Sequence, residues 1–225
     1  MAAIVTGESS GAPVFLVQEH QISYLGDGML EDLANADSRE IYPSLDSLAI
    51  FADPENNLPG ARKEATAIKN AYTNSRWYVG RERATATSFL SEFTRAGIIH
   101  VAAHHRLSAN SFGFEIMLAP DSGSDGIIGL EILASMRSDS LELVVLSACD
   151  TVGSSDPIST GPTRAAELFS LAGARSVLGA FWKVSDDAAS EIFAEFYKNL
   201  SKGKSRSESL RLAQLFVIES KRFAH

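Results

Sequence analysis

The sequence has one cysteine, Cys149, which excludes an intramolecular disulfide framework and any zinc site built on several thiolates. No stretch approaches the ~18 uninterrupted apolar residues of a membrane span. The opening MAAIVTGESSGAPVF lacks the basic patch and long apolar run of a secretory signal. Basic residues are in deficit, with 20 Lys+Arg against 28 Asp+Glu and a net charge of −8, so a basic face for nucleic acid is not expected. Repeats of about 20–50 residues are absent, which excludes solenoids and propellers. The glycine spellings of a phosphate loop are missing as well. Ala52–Gly60, ADPENNLPG, is neither a Walker nor a dinucleotide-binding sequence, so an ordinary nucleotide-binding protein is disfavoured. The expectation is a soluble, cytoplasmic chain with no direct nucleic-acid or membrane partner.

What the chain does have is apolar material, 45% of 225 residues, enough for the core of one medium domain. Short apolar runs alternate with amphipathic segments. Ser47–Ala52, Arg76–Gly80, Gly97–Ala103, Phe114–Leu118, Leu141–Ala148 and Ala174–Phe181 read as strands. Helices are expected over Ala61–Tyr72, Thr85–Ala96, Gly129–Met136, Thr163–Ala172 and Ser185–Leu200, with a last one after the capping box Ser205–Glu208. Such alternation predicts an α/β fold, a mostly parallel sheet with helices on both sides. Pro13–Leu25 reads as a hairpin or edge strand, and Gly26–Glu40 as an acidic loop or short helix. Residues 1–12 are read as a flexible N-terminus and 13–225 as a single domain.

Functional groups in open α/β sheets gather beyond the carboxyl ends of the strands. Two strands here end in reactive side chains, His104 and His105 after one, Cys149 after the other. If the strands are neighbours, thiol and imidazole emerge on one edge, the arrangement that activates a cysteine nucleophile. The competing reading is an inert, packed cysteine. Against it, Cys149 precedes the polar run Asp-Thr-Val-Gly-Ser-Ser-Asp-Pro rather than sitting mid-strand.

The segments HVAAHH, LSACDT and GARSVLGAFWKVSD resemble the CHAT domain family, bacterial relatives of caspases and separase. The matching positions are His100–His105, Ser147–Thr151, a degenerate glycine loop at Thr160–Pro162, Ala172–Val177 and Trp182–Asp186. Leu16–Leu25 is similar to the family's early strand, and Leu58–Glu64 to its Leu-Pro-Gly…Glu step. The resemblance implies a caspase-like three-layer α-β-α sandwich and a thiol protease. It makes Cys149 the nucleophile and His104 the general base and acid, with no cofactor or metal. The oxyanion hole would be the backbone N–H groups of Cys149 and His105. His105 stands where the family has glycine, so a restricted backbone or a crowded scissile carbonyl is expected there, and a lost oxyanion donor costs about 10²–10³ in rate. His100 matches an upstream family histidine. Strand alternation puts it on the face of His104, either as a satisfied core residue or as half of a metal pair.

The resemblance also implies that the stretch bearing Trp182 and Val184 borders a groove for an extended peptide. Asp150 and Asp186 are the acidic candidates for recognising Arg or Lys at the cleaved position; their alternatives are a turn cap and a helix N-terminus. The implied partners are a protein or peptide substrate and a regulator such as a TPR or other sensor segment. The rival reading is a weakly active or inactive caspase-like module used for docking or assembly.

Overall fold

The computed structural model describes residues 5–9, 12–22, 47–107, 114–147, 161–180, 184–220 and 222. Its centre is a sheet of five parallel strands: β3 (Leu48–Ala52), β4 (Ser75–Val79), β5 (Ile98–Ala102), β9 (Leu143–Leu146) and β10 (Val177–Gly179). They lie in the order β10-β9-β5-β3-β4. The chain therefore reverses its direction of build between β3 and β5, where open α/β sheets form a crevice beyond the strand ends.

Every residue of β3, β5 and β9 is buried. This follows from sequences such as LAIFA and LVVL, which have no polar alternation because both faces are covered. Alternate residues serve two cores. Ala49, Phe51, Ile99, Val101 and Val144 face helices α3 (Ala86–Phe93) and α5 (Gly161–Leu171) through Phe89, Phe93 and Phe169, with α4 (Leu130–Ser135) contributing Leu133. Leu48, Ile50, Ile98 and Val145 face α2 (Pro59–Ala71), α6 (Asp186–Leu200) and α7 (Arg206–Ser220) through Ile68, Phe193, Phe196, Tyr197 and Ala213. The result is the caspase-like three-layer sandwich. No helix among the described residues is long and apolar enough to cross a membrane.

Local chemistry fixes the helix starts. Thr85 caps α3 by accepting from the Ser88 N–H, Ser185 caps α6 through Ala188, and Pro59 opens α2, where it forfeits no helical bond. Two features depart from the sequence reading. The hairpin or edge strand expected over Pro13–Leu25 is strand only as far as Phe15: β1 (Val5–Ser9) and β2 (Ala12–Phe15) form a hairpin, and Leu16–Glu19 then turns into a short helix, α1. The Gln18 side chain accepts from the Phe15 N–H, and Arg211 of α7 donates to the Val17 carbonyl, contacts that no local pattern announces. Part of the stretch read as a flexible N-terminus is thus the first hairpin strand. Secondly, β6 (His105–Leu107), β7 (Phe114–Met117) and β8 (Ile127–Ile128) make a small antiparallel sheet. Only β7 is legible in the sequence, because strands of two and three residues carry no periodicity. Gly26–Glu40 lies outside the described residues.

Candidate active site at the carboxyl edge of the sheet

Strands β5 and β9 are neighbours and parallel, paired from Ile98↔Leu143 to Val101↔Leu146 at a constant offset of 45 positions. The pairing runs past the end of β9, where the Ser147 N–H donates to the Val101 carbonyl at 2.8 Å. His104 follows β5 by two residues and is half-buried. Cys149, Asp150 and Trp182 lie outside the described residues. Of the other site candidates, the structure describes His104, His105, Val184 and Asp186.

The backbone around the two histidines has a defined polarity. The His104 carbonyl accepts from the Met117 N–H at 2.9 Å. This bond lies one residue beyond the first β6–β7 pair, His105 and Ile116. That pair is the non-hydrogen-bonded kind, and the His105 N–H and C=O point away from β7. The same register puts the His105 side chain on the face of Ile116, which is fully buried. His105 is itself buried, and its pKa is lowered to about 3, first by desolvation and then by the neighbouring His104. The imidazole is therefore neutral and directed into the core. Among described residues only Asp53 and Asn56 have a positive φ without being glycine, so His105 needs no left-handed backbone.

The turn after β3 is tied to the same edge. The Asp53 N–H donates to the Ala102 carbonyl at 3.0 Å. The Asp53 carboxylate, 1% exposed, accepts from the Leu58 N–H at 2.7 Å and forms an ion pair with Arg62. Arg62 also bonds the Asn56 side chain, at 2.5 Å. One buried acid thereby holds the turn and the first turn of α2 against the end of β5.

Beneath the edge lies a buried polar chain. His100 of β5 is 0% exposed; its Nδ1 is 3.2 Å from the Tyr197 hydroxyl, and its Nε2 is 2.7 Å from Glu64 Oε1, with the ring N–H aimed off the line to that oxygen. Phe193 and Tyr197 pack edge-on to the ring, with centroids at 5.3 and 5.6 Å. Burial, followed by the charge of Glu64, raises the Tyr197 pKa well above the usual phenol range, so the phenol stays protonated. The second oxygen of Glu64 accepts from Ser147 Oγ–H at 2.7 Å. His100 is a core residue whose two ring nitrogens face Tyr197 and Glu64, with no hydrogen bond formed at Nε2. No group of three or more His, Cys, Asp or Glu able to hold a metal occurs among the described residues.

Sequence reasoning did not single out Glu64 or Ser147 as site residues. A signal existed for the first: Glu64 stands on the α2 stripe of Ala61, Ala65 and Ile68, an acid on an apolar face. For Ser147 the signal was its place in the family-like run LSACDT.

Val184 is half-buried and packs against the α2–α6 core. Asp186 is exposed in the first turn of α6. A Cβ at position 60 would overlap its carboxylate, so Gly60 is what lets the starts of α2 and α6 approach. An ion pair between Lys63 and Asp187 ties the same two helices, and Lys63 lowers the Asp187 pKa.

A parallel five-stranded sheet between two helical layers, with an imidazole at its carboxyl edge, defines an α/β protein of the caspase-like class. The family model of the CHAT domain matches residues 1–225, the whole chain, and the protein belongs to that family. The family is related to caspase-like peptidases. No curated protein matches the sequence.

Proposed function

We propose that the chain is a cysteine endopeptidase in which Cys149 is the nucleophile and His104 the general base and acid. The observation that supports this is the strand register. Strands β5 and β9 are adjacent and parallel and end side by side; in the sequence His104 follows β5 by two residues and Cys149 follows β9 by three. Neighbouring strands lie about 4.8 Å apart, within reach of a thiol and an imidazole side by side.

In the proposed reaction the Cys149 thiolate attacks the scissile carbonyl. The developing oxyanion is held by the backbone N–H groups of Cys149 and His105; the His105 N–H is turned away from β7. Collapse breaks the C–N bond as His104 protonates the leaving amine, and a thioester remains. His104 then takes a proton from water, which hydrolyses the thioester and frees the thiol. Trp182 and Val184 are proposed to border the peptide groove. Asp150 and Asp186 are the candidates for contacting a basic side chain at the cleaved position. A separate sensor segment or partner is proposed to restrain the enzyme.

A peptide-library digest by wild type and Cys149→Ala, read by mass spectrometry, tests the reading. The expected result is a set of cleavages with one preferred residue before the cut, all lost in Cys149→Ala. An undigested library, or cleavage that survives the substitution, would overturn it and leave the docking module as the better account.

A further inference from the structure

We infer that Ser147 and Glu64 are positioning residues for Cys149: the buried Glu64 carboxylate grips the Ser147 hydroxyl, two residues ahead of the nucleophile in the sequence. The inference rests on the peptidase reading and adds what orients its thiol. Ser147 is two residues ahead of Cys149 and is held from two directions. Its N–H bonds the Val101 carbonyl on β5, and its Oγ–H bonds Glu64 Oε2 on α2. Glu64 is 4% exposed. Its other oxygen lies against His100, whose second nitrogen faces Tyr197 on α6. The chain of contacts thus runs from α6 through β5 and α2 to the exit of β9.

The cost of this arrangement argues that it has a use. A buried carboxylate is expensive even when partnered, and a well-packed apolar residue of similar volume is often neutral or stabilising in its place. On the apolar stripe of α2 a leucine or methionine would fill the slot, but neither could accept the serine hydroxyl. Displacing reacting groups by about 1 Å can lower a rate about 10²-fold, so a small rotation at Ser147 is enough to matter at Cys149.

The test uses Ser147→Ala, which deletes one hydroxyl and leaves Glu64 with His100. Two quantities are read: the iodoacetamide rate at Cys149, the sole thiol, and amide exchange in the peptide covering residues 141–149. Alkylation is expected to slow about tenfold and exchange at the end of β9 to quicken about tenfold, with the melting temperature close to wild type and exchange in β3 unchanged. Cleavage should lose kcat with KM within about twofold. Glu64→Gln, which keeps the shape, should move both readouts the same way. Alkylation unchanged in Ser147→Ala while the wild-type thiol is fast would overturn the inference. If wild-type Cys149 reacts no faster than in His104→Ala, the peptidase reading fails on that comparison alone. Unchanged exchange in Ser147→Ala would then overturn the positioning claim by itself.

Discussion

Acid should destabilise this protein through the buried imidazole of His105. Its pKa in the folded chain is about 3, against 6.5 for an exposed histidine, chiefly because burial strips water from the charged form. Between those values the unfolded chain binds a proton that the native chain does not. Stability therefore falls as pH drops below about 6.5, and His105 contributes no pH dependence above that. The slope is about 1.4 kcal/mol per pH unit, so acidifying to about pH 5 costs about 2 kcal/mol. That is a large share of a typical stability of about 5–15 kcal/mol. The perturbation that isolates it is His105→Leu, apolar, of similar size and without a titrating group. Urea unfolding of both proteins at several values from about pH 7.5 to about pH 5 gives the stability difference at each. Packing differences shift that gap by a constant, whereas the missing titration makes it widen in favour of the variant as pH falls. A gap that stays constant below about pH 6.5 would refute the inward, desolvated placement of His105.

Gly173→Ala should destabilise by about 3 kcal/mol or more, because φ is +106° and a Cβ would strike the Ser138 carbonyl. Gly203→Ala, with φ +78° and open space around it, should cost only about 1 kcal/mol by the same thermal or urea assay. Arg62→Ala, which strips the buried Asp53 of its guanidinium, should cost about 1–3 kcal/mol and quicken amide exchange at Leu58. Lys63→Ala, at an ion pair whose two side chains are each 61% exposed, should change stability by less than about 0.5 kcal/mol.

The sheet was legible because its strands are continuous apolar runs, and Ala-Ile-Phe or Leu-Val-Val-Leu covered on both faces has few other uses. The edge carrying His104 was legible for the same reason, since the strand is unmistakable and the polar residues begin where it stops. Elements defined by distant partners were not legible. Leu16–Glu19 carries a strand-like pattern, yet Arg211, far along the chain, takes a carbonyl of this turn and stabilises a helix. His105 reads as a site residue beside His104, and only its pairing with Ile116 reveals that the imidazole faces the core. The Glu64–His100 contact joins two elements whose spacing in sequence says nothing about their proximity, although an acid on an apolar helix stripe is a clue that a partner waits inside.

The most direct test of the central claim is the second-order rate of iodoacetamide with Cys149 near neutral pH, in wild type and in His104→Ala. An imidazole beside the sulfur predicts a wild-type thiol at least about tenfold faster than a free cysteine, falling to the free value in the variant. Equal rates in the two proteins would contradict it.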